Sequence, residues 1–299
     1  TDTVYSINSR IRSNRTMTDA YIQWFPGGKW SFDLGGSLTI ARAFADAYEK
    51  PVHEIRGSLS AGAKYKRPRF VLNLTGRQGF FAGKSSPQVS AGIRYAFRPD
   101  KIYMRSRVYT HYRIPSLNDR YWNPGGNPGL RPEEGWGVST GVEGNLSVHR
   151  SGNLSLAADV YYNNITDQIM WIPGTGYWSP VNIQKSKMVG MEQTARFTKT
   201  SGKISIVISE SYHYTRSVIA ENNVFSNYTG NTNPYIPEHS FTAAVQVRAG
   251  NSYGTFFETV SGSRYTTLDN QNWYRLDPYA LTTVIIGYQA GFASWKISA

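Results

Sequence analysis

The sequence predicts an all-β protein, an antiparallel β-barrel that crosses a membrane with its strands. Apolar and polar residues alternate along most of the chain, with the period of two that places successive side chains on opposite faces of a strand. Most of the predicted strands are 10–14 residues long. That length fits a tilted membrane strand, which needs about 9–11 residues, better than an ordinary strand of about 5–6.

The alternation is clearest in residues 101–113, where Ile102, Met104 and Val108 share one face and Arg105 and Arg107 the other. The same pattern recurs in 89–97, 153–164, 203–214 and 241–249. In a membrane barrel the apolar face meets lipid and the polar face lines the interior. We therefore expect one shared outward surface for Val89, Ile93, Leu154, Leu156, Ile204, Ile206, Val245 and Val247.

The connections between the predicted strands alternate between tight and long. Tight-turn signals of Gly, Pro, Asp and Asn stand at 26–29, 66–69, 98–101, 150–153, 200–203, 249–252 and 289–292. Longer polar segments lie at roughly 45–54, 80–87, 114–134, 164–186, 217–239 and 265–276. The count gives about fifteen strands, with short turns at one end and long loops at the other, as in an outer-membrane barrel.

Aromatic residues gather beside the tight turns. They are Trp24, Phe25, Trp30, Tyr65, Phe70, Tyr95 and Phe97. In a membrane barrel they would form an interfacial girdle. In a soluble sheet they would instead pack into a core, which is the alternative interpretation of the same pattern.

Composition limits the possible functions. The 299 residues include 32 Lys and Arg against 20 Asp and Glu, a net charge of +12, and no cysteine. Disulfides, zinc-thiolate sites and thiol catalysis are therefore excluded. The alternation turns six basic residues toward the interior, which accounts for part of the positive charge: Arg56, Lys64, Arg94, Arg105, Arg107 and Arg248. Because no ribonucleoprotein motif is present, we predict no nucleic-acid partner.

One long segment, 114–134, is rich in proline and glycine and leads into a regular strand. Proline fixes φ and glycine permits the turns between, so the segment is predicted to be folded. Glu133 and Glu134 are expected above the membrane boundary, because carboxylates do not face lipid. The strand that follows turns Val138 and Val142 to lipid and Glu143 to the interior.

This segment resembles the characteristic motif of TonB-dependent outer-membrane receptors. The matching positions are Arg113, Pro115, Leu117, Tyr121, Gly126, Asn127, Pro128, Leu130, Arg131, Pro132, Glu133, Glu143 and Gly144. The resemblance implies a barrel of 22 strands in the outer membrane of a Gram-negative bacterium, surrounded by lipid and lipopolysaccharide. It also implies an N-terminal plug domain with a box that contacts the TonB complex.

Neither the plug nor the box is found in the sequence, which opens on a predicted strand at about 3–11. If the resemblance holds, residues 1–299 are an incomplete barrel that corresponds to strands 7–21, without plug, first six strands or last strand. The strand near 3–11 and the strand near 291–299 should then leave two open edges.

The resemblance implies a receptor that imports a scarce, large nutrient with energy from TonB. The motif has Arg131-Pro132-Glu133 where glycan importers have Lys-Trp-Glu, which favours an iron-siderophore or cobalamin ligand. Aromatic and basic residues of the loop end are the candidate ligand-binding residues: Tyr109, Arg113, Tyr121, Trp122, Trp171, Tyr177 and Trp178. Aromatic rings would stack on a flat ligand and Arg113 would add charge. The alternative is that these residues pack loop on loop.

No enzymatic function, metal site or cofactor is predicted. The five histidines, His53, His111, His149, His213 and His239, lack metal-ligand spacing. Ser211 and His213 share one face of a strand, but no nucleophile elbow or third member of a hydrolase triad accompanies them. Two alternatives to a transporter stay open: a passive porin-like barrel without energy coupling, and a soluble β-rich binding module.

Overall fold

The computed structural model describes residues 10–82, 84–148, 152–221, 226–291 and 293–298. It contains one antiparallel sheet of fourteen strands and a separate two-stranded ladder. In the part of the chain that is described, no helix is long and apolar enough to cross a membrane. His149, part of the predicted turn at 150–153 and most of the predicted strand near 3–11 lie outside the described residues.

The strands follow one another along the chain. They are β1 (Ile11–Trp24), β2 (Trp30–Ala45), β3 (Val52–Lys66), β4 (Phe70–Phe81), β5 (Lys84–Arg98), β6 (Ile102–Arg113), β7 (Glu133–Val148), β8 (Gly152–Pro173), β9 (Trp178–Ser201), β10 (Ile204–Glu221), β11 (His239–Ala249), β12 (Ser252–Ser261), β13 (Arg264–Tyr265), β14 (Arg275–Leu276), β15 (Tyr279–Ala290) and β16 (Ala293–Ser298). A one-turn helix, α1 (Leu117–Tyr121), lies between β6 and β7.

Every strand of the main sheet pairs with its neighbour in the chain, and β15 takes the place after β12 because β13 and β14 pair only with each other. The order ends with β1 on one side and β16 on the other, and no ladder joins these two within the described ranges. The all-β, antiparallel prediction is confirmed, and the sheet is open, as in an incomplete barrel. The described residues contribute fourteen strands to it, in agreement with the predicted count of about fifteen.

Two predicted long loops are wrong. The segment 164–186 is instead a tall hairpin, in which β8 and β9 stay paired up to Pro173 and Trp178. Its polar residues do not end the strands because, beyond a membrane, both faces of a hairpin can meet water or other loops. The segment 80–87 is a short connection between two strands and not a long loop. β4 ends at Phe81 and β5 begins at Lys84, with Ala82 at φ +46° between them.

The strand register confirms the shared outward surface. Residues that pair across antiparallel strands lie on the same face, and the pairs place all eight predicted residues on one side of the sheet. Six of the eight are exposed and two, Leu154 and Ile206, are half-buried. A soluble fold would bury these side chains together, so the structure supports the membrane barrel.

The register of the strands places five of the aromatic residues near the tight turns on the same outward face: Trp24, Trp30, Tyr65, Phe70 and Tyr95. Trp30 packs against Tyr65 with ring centroids 4.7 Å apart, and Trp24 stacks on Phe32 at 5.6 Å. These are cross-strand contacts between directly paired residues. The outward surface therefore carries an aromatic girdle at its tight-turn end, as predicted.

Buried apolar side chains are concentrated at the loop end. One cluster, which we call the Tyr48 cluster, joins Ala43, Ala45, Tyr48 and Val52 of the β2–β3 hairpin to partly buried residues of the motif segment. A second cluster joins Ile183, Ile219 and Leu268. The wall of the barrel is thus a single layer of strands, and the packed interiors lie among the loops above it.

Candidate ligand-binding site at the barrel mouth

The motif segment starts with a capping box on α1. The Ser116 hydroxyl accepts a hydrogen bond from the Asp119 backbone N–H at 3.1 Å, and Asp119 Oδ2 accepts one from the Ser116 N–H at 2.8 Å. Such reciprocal caps satisfy backbone donors that a helix start leaves without partners. The indole N–H of Trp171 also donates to Asp119 Oδ1, at 2.9 Å. Asp119 therefore ties the start of the segment to the β8–β9 hairpin.

The electrostatics of Asp119 favour its charged form. Burial alone would raise the pKa of this carboxyl, but the hydrogen bonds from Ser116 and Trp171 and the nearby Arg113 guanidinium together hold the pKa below its ordinary value. Arg113 approaches Asp119 Oδ2 to 3.9 Å. The segment is thus held partly by an ionised carboxylate.

Beneath α1, Arg120 and Glu54 form a buried ion pair. Glu54 also pairs with Arg56. Both guanidinium groups lie over the ring of Phe81, with Cζ of Arg120 at 4.8 Å and Cζ of Arg56 at 5.2 Å from the ring centroid. Burying a charge is costly unless it is paired and hydrogen-bonded, so these four side chains fix the position of α1 over β3 and β4.

The motif residues hold the rest of the segment. Pro115 and Leu130 are buried. The Asn127 side chain donates to the Pro180 carbonyl at 3.3 Å and accepts from the Gly129 N–H at 2.9 Å. Glu133 pairs with Arg113 and accepts the Ile169 N–H at 2.6 Å. Of the other motif residues, Leu117 packs on the Tyr48 cluster, Pro128 is exposed and Pro132 is half-buried.

Close backbone packing explains the motif glycine at position 126. A Cβ on Gly126 would lie 2.6 Å from both the backbone nitrogen and the backbone oxygen of Trp122. No larger residue fits there without moving backbone. The segment is therefore folded, as its proline and glycine pattern predicts.

Five of the seven predicted ligand-binding residues have partners within the protein. Tyr121 and Trp122 pack on the Tyr48 cluster, and Trp171 donates to Asp119. Arg113 pairs with Glu133 and donates to the Ile169 carbonyl at 3.2 Å. Tyr109 donates to Asn163 Oδ1 at 2.8 Å. These contacts stabilise the loop end, which is the role that loop-on-loop packing predicts.

The two remaining residues, Tyr177 and Trp178, are 49% and 42% exposed at the tip of the β8–β9 hairpin. Trp178 and Trp171 both line a cleft of about 470 Å³, together with Tyr235 and Asn233 of the facing loop. The oxygen of the buried Asn233 amide has no hydrogen-bond partner among the described residues. Sequence analysis missed Tyr235 and Asn233, although the run Asn-Pro-Tyr-Ile-Pro at 233–237 is a signal of an ordered loop.

A second cavity, of about 580 Å³, lies inside the barrel directly under the motif segment. Its lining includes four arginines, Arg15, Arg56, Arg77 and Arg113, and one carboxylate, Glu54. Because Arg56 pairs with Glu54 and Arg113 with Glu133, the excess positive charge that would attract an anionic ligand comes from Arg15 and Arg77. Arg15 and Arg77 were also missed, although the two-residue alternation of β1 and β4 places both on the inward face.

The inner wall of β5–β8 carries a network of paired charges. Arg94 Nε donates to Glu143 Oε1 at 2.7 Å, and Arg105 Nε donates to Asp159 Oδ1 at 2.9 Å. Arg105 also approaches Glu143 at 3.5 Å. The predicted inward orientation of Arg94, Arg105 and Glu143 is confirmed, since each pairs with groups of the same face.

Tyrosine side chains of the inner wall lie flat over glycines of the adjacent strand. Tyr109 covers Gly137, and Tyr161 covers Gly190, which are direct cross-strand pairs. A Cβ on either glycine would collide with the tyrosine ring. Tyr253 and Gly287 repeat the arrangement between β12 and β15.

The Ser211–His213 pair forms a hydrogen bond of 2.8 Å between Oγ and Nε2. Glu192, which pairs with His213 in the sheet, has a carboxylate oxygen 3.8 Å from Nδ1. Ladders with β9 and β11 flank Ser211 on both sides, so the local backbone N–H groups are not arranged as an oxyanion hole. In the described part of the chain, no group of three or more His, Cys, Asp or Glu side chains is placed to hold a metal.

Known proteins with similar sequences are transporters. Residues 1–299 match the family model described as TonB dependent receptor-like, beta-barrel. The vitamin B12 transporter BtuB of Vibrio vulnificus is 32% identical over 100 residues, which are 33% of this chain and 16% of that protein. The BtuB of Photobacterium profundum is also 32% identical, over 102 residues, with 32% and 16% covered.

Solved structures share the fold. The copper transporter OprC superposes with a TM-score of 0.71 at 11% identity, over 97% of this chain and 50% of that one. A ferric enterobactin receptor of Pseudomonas aeruginosa, PfeA, gives 0.69 at 15% identity, over 96% and 48%. This chain thus spans about half the length of these structures.

The family model, the motif segment and the outward apolar surface of the open sheet agree. The chain belongs to the TonB-dependent receptor family, as a part of its β-barrel.

Proposed function

We propose that this chain forms part of the wall and mouth of a Gram-negative outer-membrane receptor that imports a scarce, large nutrient. Its relatives support import, since two of them are vitamin B12 transporters, and similar structures include a siderophore receptor. The chain is not an enzyme in this proposal: its family and its structural neighbours are receptors and transporters.

The observation that carries the proposal is the arginine-lined cavity beneath the motif segment. The aromatic cleft of Trp171, Trp178 and Tyr235 would offer a ligand a stacking surface in addition to these arginines. This combination suits a ligand that is both anionic and partly flat or aromatic. Ferric siderophores with catecholate groups have this character, and cobalamin combines a flat corrin ring with a single anionic phosphodiester.

The plug domain and the TonB box belong to the proposal as parts of the whole receptor outside these residues. The charged inner wall supports this, because Arg94, Arg105, Glu143 and Asp159 offer a polar surface to a polar domain inside the barrel. Energy would enter through TonB, since the outer membrane has no ATP. A porin-like barrel would need no such coupling.

Ligand binding tests the cavity. Arg77→Gln in the whole receptor should weaken the binding of a ferric catecholate siderophore or of cobalamin by about tenfold, because one charge-assisted contact is lost. Arg248→Gln is the matched control, since Arg248 lies on the inner wall away from the cavity and bonds to Gln289. Equal affinity of the wild type and Arg77→Gln for both ligands would contradict the proposed site.

Uptake tests the class of transporter. Radiolabelled ligand should accumulate in the periplasm only in cells with an intact TonB complex. Uptake that is linear in ligand concentration and independent of TonB would favour the passive porin-like barrel instead. Recovery of the protein in the soluble fraction would contradict both.

A further inference from the structure

Two carboxylates lie on the outward face of the sheet, among apolar side chains. Glu210 of β10 and Glu258 of β12 both pair with Ala243 of β11, one from each side. Along β10 and β11 the alternation places Glu210 on the face of Ile206, and Ala243 on the face of Val245. Because Ile206 and Val245 face outward, both carboxylates face outward as well.

The two carboxylates lie within the apolar band and not at its boundary. β10 begins with Ile204 at the tight-turn end, and Glu210 stands six residues further along. Six residues at about 3.3 Å each, in a strand tilted by about 40°, rise roughly 15 Å, whereas the apolar band of an outer-membrane barrel is about 25 Å tall.

The outward rows on either side of the carboxylates are uncharged. The row on the tight-turn side holds Phe197, Ile208, Val245, Phe256 and Val284, and the row on the loop side holds Gln193, Tyr212, Phe241, Val260 and Ala280. Ionisable side chains are rare at this depth in a membrane, because lipid does not solvate charge, and they mark functional positions.

Each carboxylate has a neutral partner on one side only. Gln193 Nε2 donates to Glu210 Oε1 at 2.9 Å, and Thr282 Oγ1 donates to Glu258 Oε2 at 2.5 Å. Both partners lie on the side away from Ala243, since Gln193 is on β9 and Thr282 on β15. Neither carboxylate has an ion pair in the ranges that the structure describes.

The surface between the carboxylates is shallow. Ala243 stands between them, and Ala195 lies on the other side of Glu210. Adjacent strands are about 4.8 Å apart, so the backbones of the two glutamates are about 10 Å apart with Ala243 midway. One cationic group above Ala243 would lie within reach of both carboxylates. We refer to Glu210, Ala243 and Glu258 as the intramembrane site.

We propose that the intramembrane site binds another outer-membrane protein, whose membrane-spanning segment presents an arginine or lysine toward lipid. The attraction between opposite charges is strongest in a medium of low dielectric constant, and charged groups inside membranes pair with one another. A second copy of this chain does not fit, because a two-fold interface brings the same surface against itself and would set carboxylates against carboxylates. The inference goes beyond transport and rests on the outer-membrane placement proposed above.

Binding of a model membrane segment tests the proposal. The whole receptor is reconstituted in lipid vesicles with a spanning peptide of about 20 Leu and Ala residues, which carries one central Lys and a dansyl group. Energy transfer from the tryptophans of the receptor to dansyl measures binding. The Lys peptide should bind the wild type at least about tenfold more tightly than the same peptide with Leu at its centre. Glu210→Gln with Glu258→Gln should abolish this preference.

Two further variants separate charge from shape and position. Ala243→Leu fills the space between the carboxylates and keeps both charges, so it should also weaken binding of the Lys peptide. Glu134→Gln is the matched control. Glu134 is exposed on the same outward face but at the loop end, where it pairs with Tyr112, and the loss of its charge should leave peptide binding unchanged.

Equal affinity of the wild type for the Lys and Leu peptides would overturn the proposal, as would a preference for Lys that persists in the double Gln variant. Self-association of the wild type that is lost in the double variant would overturn it in favour of a second copy. Flotation of each receptor variant with the vesicles separates these results from a failure of the membrane placement.

Discussion

Two loop assemblies close the upper end of the sheet, and they are held by different chemistry. The first, which we call the ionic cap, is residues 113–133 with their contacts on β3, β8 and β9. Three ion pairs hold it: Arg120–Glu54, Arg113–Glu133 and Arg131–Asp167. The second, the amide cap, joins segment 226–238 to segment 262–278.

Neutral amide side chains make the main contacts between the two segments of the amide cap. The Asn270 side chain accepts from the Thr232 N–H at 2.7 Å and donates to the Thr232 carbonyl at 3.0 Å. Asn231 donates to the Leu268 carbonyl at 2.8 Å, and Asn233 to the Ser217 hydroxyl at 2.7 Å. These contacts surround the apolar cluster that includes Leu268.

The difference predicts different responses to solvent. Salt screens exposed charges and acid neutralises carboxylates, so the ionic cap should loosen under either condition. Amide hydrogen bonds carry no net charge and should respond to neither. Acid or high salt should therefore loosen the contacts of the ionic cap and leave those of the amide cap intact.

The largest effect should come from the buried ion pair of the ionic cap. Glu54→Ala leaves Arg120 buried without a carboxylate, which should lower the opening free energy of amides in 114–132 by about 3–5 kcal/mol. Native-state hydrogen exchange measures that quantity. The double replacement Glu54→Leu with Arg120→Met, which removes both charges, should recover most of the loss. A change below about 1 kcal/mol in Glu54→Ala would show that the pair does not hold the cap.

Asn270→Ala should destabilise the amide cap by about 1–3 kcal/mol, because the Thr232 backbone groups lose their partners. Hydrogen exchange in 226–238 should become faster, while hydrogen exchange in 114–132 should stay at the wild-type rate. Asn270 has φ +52°, so Asn270→Gly serves as the control that keeps this conformation accessible. If glycine restores full stability, backbone strain and not the hydrogen bonds accounts for the effect.

Acid should loosen the ionic cap through Asp119. The pKa of Asp119 is lower in the folded protein than the value of about 3.9 for an unfolded Asp. Ionised Asp119 therefore stabilises the folded cap fully above that unfolded value. This stabilisation is lost as pH falls through the folded pKa. Tryptophan fluorescence, which includes Trp122 and Trp171, should report the loosening below about pH 4. Asp119→Asn should remove this part of the pH dependence, and an unaltered acid profile would contradict the assignment.

The smallest effect should come from Arg131, which bonds to Asp167 at 2.5 Å but is 66% exposed. Exposed ion pairs are worth about 0–1 kcal/mol, so Arg131→Gln should change the opening free energy of 114–132 by less than that. High salt should lower the opening free energy of the wild type toward that of the variant. A loss as large as that of Glu54→Ala would mean that Arg131 has a further role.

The faces of the strands could be predicted from sequence because each strand has only two faces, and lipid and water sort the residues between them. Ile93 and Val245 lie outward for this reason, and Arg94 and Arg105 inward. The motif loop could be predicted because its prolines and glycines restrict the backbone locally. Both signals are contained in neighbouring residues.

The contacts of the loop end could not be predicted in the same way. Trp171 looks like an exposed ligand-binding residue until its indole is seen to donate to Asp119, which is 52 positions away in the sequence. The full length of the β8–β9 hairpin could not be predicted from an alternating pattern. Strands outside a membrane can stay paired without alternating apolar residues, so the upper part of this hairpin carries no such signal. Arg113 stays a predicted ligand residue, although Glu133 already neutralises its charge.

The tyrosines that lie over glycines keep the inner face of the wall shallow. A tyrosine ring that pointed inward would project from the wall by most of its length, whereas the rings of Tyr109, Tyr161 and Tyr253 lie along the wall over Gly137, Gly190 and Gly287. The inner face thus exposes aromatic surface with little loss of interior width. A methyl group on any of these glycines would lift the ring away from the wall and narrow the interior at that pair of strands.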